Sequence, residues 1–203
     1  MTNKVKNQVI KYLYNQKLFG IKYHSDLNIN FYSSCDFALP NSLEELKKSV
    51  TNCYLCDLSK TRKHTLFGYG SQNSKIMFIC DEPSKSEDDL GSFFVGNSGD
   101  MLAKMIEGSL KIKKEEVYTT NLVKCRGTKE ASFQNFESCN CYLLKQIEVI
   151  KPKIIVAVGE RVHDYLLKSS GEFLKNRGKV LSFNSAILVP IFSPLYLLKN
   201  PSL

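Results

Sequence analysis

The chain has 203 residues, 43% of them hydrophobic, enough to bury one substantial core and a tight fit for two full domains. A formal charge of +8, spread along the chain, is compatible with a polyanionic partner such as nucleic acid but does not select one. No run approaches about 18 uninterrupted apolar residues, which argues against a membrane span, and the lysine-rich start MTNKVKNQVIKYLYNQKLFG has neither the apolar core nor the small-residue cleavage site of a signal peptide, so a cytoplasmic protein is the expectation.

In chain order, Lys4 to Leu18 has apolar spacing compatible with a short helix, and Ile21 to Phe37 mixes turn formers with isolated aromatics, as a connecting loop does. Residues 1–41 are thus expected to be an extension ahead of a domain over 42–203. Ser42, followed by Glu44 and Glu45, predicts a helix start: a serine caps free amides and acids favour the first turn. That helix would end near Cys53.

Four β-rich runs follow, Lys75 to Cys80, Val117 to Val123, Lys153 to Gly159 and Ala186 to Phe192, with helix-compatible stretches at Gly99 to Ser109, Cys141 to Ile150 and Glu160 to Lys168. Strands alternating with helices predict an α/β fold of three αβα layers around a central, four-stranded, mostly parallel sheet. In such sheets the working groups gather at the carboxyl ends of the strands. That directs attention to Asp81 to Ser84, Asn121 to Arg126, Gly159 and Ser193.

Seven cysteines without an export signal favour a metal or cluster site over disulfides. Cys53 and Cys56 form C-Y-L-C, a bite through which two thiolates reach one centre. Cys125 and Cys139 each sit beside a predicted element end, where a fold can bring them to the first pair, and Cys141 competes with Cys139 for the fourth position. Four soft thiolates suit a [4Fe-4S] cluster or structural zinc, and spacing alone does not choose between them. Cys35 and Cys80 read as non-ligands, with Cys80 buried at a strand end.

Five blocks in order resemble the iron–sulfur uracil-DNA glycosylases, the family 4 or thermostable-type group, over about 160 residues from Ser42 to Pro201. LEELKKSVTNCYLCDLSKTRKHTLFGYG is similar to that family's helix, CxxC, L-x-x-x-R stretch and glycine turn. KIMFICDEPSKSEDDLGSFFVGNSGDML resembles a strand entering G-E-A-P-G, then an acidic pair and P-F-V-G-x-x-G. VYTTNLVKCRG resembles the strand with an asparagine and the KCRP cysteine; FESCNCYLLKQIEVIKPKIIVAVGERV resembles the helix of the fourth cysteine and the next strand. RGKV and VPIFSPLYLLKNP resemble the R-G and H-P-x-x-L-L-R-N-P close.

The resemblance implies a uracil-DNA glycosylase-like fold and a structural [4Fe-4S] cluster on Cys53, Cys56, Cys125 and Cys139, with zinc the alternative metal and Cys141 at a proline position. It implies hydrolysis of the N-glycosidic bond of deoxyuridine in DNA, which requires the nucleotide to be flipped out of the stack. A monomer acting on DNA that contains uracil or another damaged base, with no membrane partner, is the expectation. The alternatives are a glycosylase for another damaged base and a catalytically degenerate iron–sulfur DNA-binding protein.

By the same resemblance, Asp81 stands at the catalytic carboxylate, where it would orient water, and Glu82 and Pro83 follow it beside the substrate, with Glu82 in a small-residue position. Glu87 and Asp88 retain the acidic pair that supports this loop or the water, which puts Glu87 with Asp81 and Ser193 in the expected catalytic set. Phe94 would stack on the base, and Asn121 would read uracil, since an amide complements the N3–H and O4 edge. Arg62, Lys124, Arg126 and Arg177 are candidates for DNA contacts. Ser193 stands where a histidine would stabilise the departing uracil oxygen; a serine has a donor but no positive charge, and losing one such donor costs about 3–4 kcal/mol.

Overall fold

The computed structural model describes residues 39–202; the predicted helix at Lys4 to Leu18, the loop at Ile21 to Phe37 and Cys35 lie outside them. The first described helix, α1 (Leu43–Thr51), starts after Ser42 as the sequence predicts, with Glu44 and Glu45 in its first turn. It buries Leu43, Leu46 and Val50, an i, i+3, i+7 stripe that faces inward while its lysines face water.

Six strands follow among the described residues: β1 (Tyr69–Gly70), β2 (Ile76–Cys80), β3 (Tyr118–Asn121), β4 (Ile154–Val158), β5 (Leu181–Phe183) and β6 (Ala186–Ile191). They form one sheet in the order β1-β3-β2-β4-β6-β5. The four predicted runs make its parallel centre, β3, β2, β4 and β6. The sheet is two strands wider than the four expected, because β1 and β5 add antiparallel edges. At two and three residues, those edges are too short to carry a period-2 pattern.

The helices are α2 (Lys85–Leu90), α3 (Gly96–Lys104), which runs on as a π-helical turn over Met105–Ser109, α4 (Phe133–Ile150), α5 (Glu160–Leu167), α6 (Phe173–Asn176) and α7 (Pro194–Lys199). Strand alternation sends Phe78, Val156 and Val158 to one face of the sheet, where they meet Leu102 and Ile106 with Phe93 and Phe94. Met77, Ile79, Ile155 and Ala157 alternate to the other face and are fully buried. α1 packs on α4, and α3 packs on both α2 and α7. The arrangement is the expected three-layer αβα fold, and it aligns the carboxyl ends of four parallel strands along one edge.

α4 begins eight residues ahead of the predicted Cys141. Ser132 caps it through a capping box with Asn135: the Ser132 hydroxyl accepts from the Asn135 N–H, and the Asn135 amide oxygen accepts from the Ser132 N–H at 2.8 Å. Among the described residues, no helix is long and apolar enough to cross a membrane.

Candidate active site and cysteine cavity

Asp81, Asn121 and Ser193 lie at the carboxyl ends of β2, β3 and β6, Asn121 as the last residue of its strand and Ser193 as the cap of α7. The register pairs Cys80 with Asn121, and the Leu122 and Val123 amides donate to the Cys80 and Asp81 carbonyls at 2.8 and 3.2 Å. The Asp81 loop and the end of β3 are therefore adjacent. On the other side of β2, the Gly159 amide donates to the Ile191 carbonyl at 2.8 Å. Gly159 has φ +100°, and a Cβ placed on it would stand 3.2 Å from the Ser193 Cβ, so glycine lets the β4 and β6 ends close together.

Asp81 is half-exposed. Its Oδ1 accepts from the Glu82 amide at 2.9 Å and its Oδ2 from Nη1 of Arg161 at 3.3 Å. Glu82, expected beside the base, turns instead to Nη1 of Arg126 at 3.1 Å and to the Ala131 amide at 2.6 Å. Burial raises its carboxyl above the usual range, with the Ala131 N–H and the two arginines pulling the other way. Pro83 offers its carbonyl to Arg126 at 2.7 Å.

Glu87 ties two parts of the site together. Its Oε2 accepts from the Ser84 amide at 2.9 Å, completing the cap of α2, and its Oε1 accepts from the Phe94 amide at 3.2 Å. Phe94 has φ +60°, a left-handed conformation that a bulky residue rarely takes, and a Cβ on Gly99 would meet its carbonyl carbon at 2.5 Å. Such a held outlier marks a place where the surroundings dictate the backbone. The Phe94 and Tyr69 rings meet in a T-shaped contact at 5.3 Å and 76°. Asp88 is buried, and its carboxylate takes the Lys63 and His64 amides.

Asn121 is 2% exposed, and its side-chain Nδ2 is buried without a hydrogen-bond partner. An unmade bond there costs roughly 1–3 kcal/mol, which sites tolerate where a ligand completes it. Ser193 caps α7: its Oγ accepts from the Tyr196 amide at 3.2 Å, leaving the hydroxyl proton to donate elsewhere. His64 is engaged with the Asp88 carbonyl, and His163 is fully buried against Asp164 and Asn176, so neither substitutes at Ser193.

Cys53, Cys56, Cys125 and Cys139 line one cavity with Val50, Leu58, Val123 and Tyr142. None of the four is in a disulfide. Among the described residues, no three His, Cys, Asp or Glu side chains form a ready-made metal-holding group, so the thiols share walls rather than ligand geometry. Burial pushes the Cys139 thiol up to about 12 and raises those of Cys56 and Cys125. Neutral thiols in such a place are inert, and a metal centre converts them to thiolates.

Two cations flank this cavity. Arg62 donates to Sγ of Cys125 at 3.2 Å and to the Cys53 and Thr51 carbonyls at 2.8 and 3.1 Å. Lys124, expected at the DNA surface, is fully buried; its Nζ donates to Thr120 Oγ1 at 2.7 Å and to the Asn121 carbonyl at 2.6 Å. Its side chain is thus closed to a phosphate, which corrects that expectation. Burial pulls its ammonium down to about 8, with Cys139 and Cys125 opposing. A thiolate-bound iron–sulfur centre is anionic, and an all-sulfur donor set beside two buried or half-buried cations fits that charge.

Arg126 is partly exposed but engaged with Glu82, and Arg177 is exposed over the Phe192 ring at 4.5 Å. The residue that sequence reasoning missed is Arg161. It follows Gly159 in the quoted AVGERV segment, but only the glycine was at a predicted strand end, and nothing local showed that the arginine would reach Asp81.

The fold and the edge of the sheet define a class. The family model described as the uracil DNA glycosylase superfamily matches residues 67–203, and the chain belongs to that superfamily. It is similar to the Type-4 uracil-DNA glycosylase of Sulfurisphaera tokodaii, 34% identical over 173 residues, which is 80% of this chain and 79% of that protein. The corresponding protein of Saccharolobus solfataricus is 33% identical over 79% of each chain. That of Thermotoga maritima is 32% identical over 79% of this chain and 85% of its own.

Proposed function

We infer that the chain is a uracil-DNA glycosylase: it hydrolyses the bond between N1 of uracil and C1′ of deoxyribose in DNA, releasing uracil and leaving an abasic site. The observation that carries this reading is the buried Asn121 amide with an unpartnered Nδ2, set beside the Asp81 loop. Nδ2 donates to uracil O4, and the amide oxygen accepts from N3–H; cytosine presents the opposite pattern at both atoms.

Phe94 supplies the stacking face, worth about 1–3 kcal/mol for a flipped base without regard to its identity. The Asp81 carboxylate orients the water and stabilises positive charge on the sugar as the C1′–N1 bond breaks. Water oxygen bonds to C1′ as the C1′–N1 bond breaks; the electron pair of that bond leaves on uracil as its anion, and the proton that the water loses passes to the Asp81 carboxylate and from there through solvent to the released uracil. The Ser193 hydroxyl donates toward the leaving oxygen. Glu87 holds Phe94 against the Asp81 loop.

The cofactor assigned is a [4Fe-4S] cluster on Cys53, Cys56, Cys125 and Cys139, which ties α1, the end of β3 and α4 into one surface. Arg62 and Lys124 offset its negative charge. Residues 42–203 are taken as the catalytic domain, 1–41 as an extension and the enzyme as a monomer. DNA containing uracil is the partner, with Arg177 and the exposed part of Arg126 toward its backbone.

Two tests follow from these assignments. Asn121→Ala is expected to lower kcat/KM on uracil-containing DNA by about 10- to 100-fold, the discrimination that one good bidentate pair supplies. A variant that keeps near-wild-type kcat/KM and an unchanged preference for uracil over cytosine duplexes would remove Asn121 from recognition. Cys125→Ser or Cys139→Ser in anaerobically purified protein is expected to cost more than the about 10- to 100-fold in metal affinity lost with a mere supporting residue. Iron and acid-labile sulfide are the readouts; a zinc content with no sulfide in the wild type would contradict the cluster assignment.

A further inference from the structure

Ala131 immediately precedes the Ser132 cap of α4, is 2% exposed, and has both of its peptide groups gripped by charged side chains. Its N–H donates to Oε2 of Glu82 at 2.6 Å, and its carbonyl accepts from Nη2 of Arg161. Oε1 of Glu82 pairs with Nη1 of Arg126 at 3.1 Å, and the same nitrogen donates to the Pro83 carbonyl at 2.7 Å. Through its other nitrogen Arg161 reaches Asp81. The Glu82 side chain is only 9% exposed, so its charge relies on these partners.

The contacts close a ring through Asp81, Arg161, Ala131, Glu82, Arg126 and Pro83. A small residue at position 82 would reach neither Arg126 nor the Ala131 amide. Asp81 is carried on a short loop between β2 and α2, and one side of this loop is attached by the ring to the start of the helix that carries Cys139.

We propose that Glu82 is a positioning residue: with Arg126 it clasps the Asp81 loop to the start of α4 and so fixes where the Asp81 carboxylate stands. The kinetic consequence rests on the uracil-excision reading, while the clasp itself does not. Glu82 acts through Asp81 and touches no reacting atom, so its loss changes turnover rather than binding.

The test compares Glu82→Ala, Glu82→Gln, Arg126→Met and the Glu82→Ala/Arg126→Met double variant in the cluster-loaded full chain. Glu82→Ala is expected to lower kcat about 10- to 100-fold, the scale on which small misplacements act, with KM nearly unchanged. Glu82→Gln, which keeps an acceptor for Ala131, recovers much of the loss, and the kcat of the double variant is no lower than that of Glu82→Ala because one clasp is broken once, while KM follows the Arg126 contact with DNA.

Amide exchange at Ala131, read by NMR or mass spectrometry, is expected to rise at least about tenfold in Glu82→Ala, as loss of a hydrogen bond to a charged group implies. A folded Glu82→Ala variant with unchanged kcat, a rise in KM alone, or kcat losses that add in the double variant would overturn the proposal. Should the wild type release no uracil, the functional reading fails by itself; faster exchange at Ala131 then still supports the clasp, and unchanged exchange overturns it.

Discussion

Asp81→Asn is expected to slow uracil release by about 10²- to 10⁴-fold, the range for removal of a positioned acid–base group. The substitution is nearly isosteric and keeps an oxygen to accept from the Glu82 amide, the contact that Asp81 makes at 2.9 Å. What it removes is the negative charge that faces the developing positive charge of the sugar and orients the water. The ion pair with Arg161 is also lost, but both side chains are more than one-third exposed, so stability changes little. Single-turnover abasic-site formation beside thermal melting separates these effects: a large rate loss at an unchanged melting temperature is the expected pair. A rate within a few-fold of wild type would place the catalytic carboxylate elsewhere.

Ser193→His moves rate and stability in opposite directions. A histidine N–H at the leaving oxygen, with positive charge available, is expected to raise the rate by about 10²-fold, the contribution of one oxyanion donor. The same change removes the Oγ that accepts from the Tyr196 amide and caps α7, costing about 1 kcal/mol. The faster variant should therefore melt at a lower temperature. Lower activity than wild type would mean that the serine hydroxyl is itself the better donor in this geometry.

These two residues also show how far local sequence carries. The parallel centre of the sheet was legible because Ile76–Cys80 and Ile154–Val158 are continuous apolar runs, as strands covered on both faces must be. Tyr69–Gly70 and Leu181–Phe183 were not, since two or three residues hold no period and their pairing is set by neighbours. The first two turns of α4 mix Phe133 and Phe136 with Gln134, Asn135 and Asn140, and their cap uses Asn135 where a Glu or Gln is the usual sign.

Site chemistry divides along the same line. Asp81, Asn121 and Ser193 end strands or begin helices, so strand prediction was enough to bring them to one edge. The C-Y-L-C bite was visible locally, and Cys125 and Cys139 joined it through their places beside predicted element ends, but putting Cys139 ahead of Cys141 required the resemblance; the four line one cavity. Lys124 looks like any surface lysine in VKCRG, and only the packing around Cys125 and Cys139 shows that its ammonium turns inward. The roles of Glu82 and Arg161 depend on Ala131, 49 and 30 residues away, a separation that no local pattern crosses.

The central claim is uracil excision, and abasic-site formation on matched single- and double-stranded DNA with one uracil tests it most directly. The protein should be anaerobically purified and its iron content verified. Free uracil released in step with alkali-labile strand breaks, absent on thymine- and cytosine-containing controls, is the result predicted. Iron-loaded protein that binds the same DNA and leaves the uracil in place would contradict it.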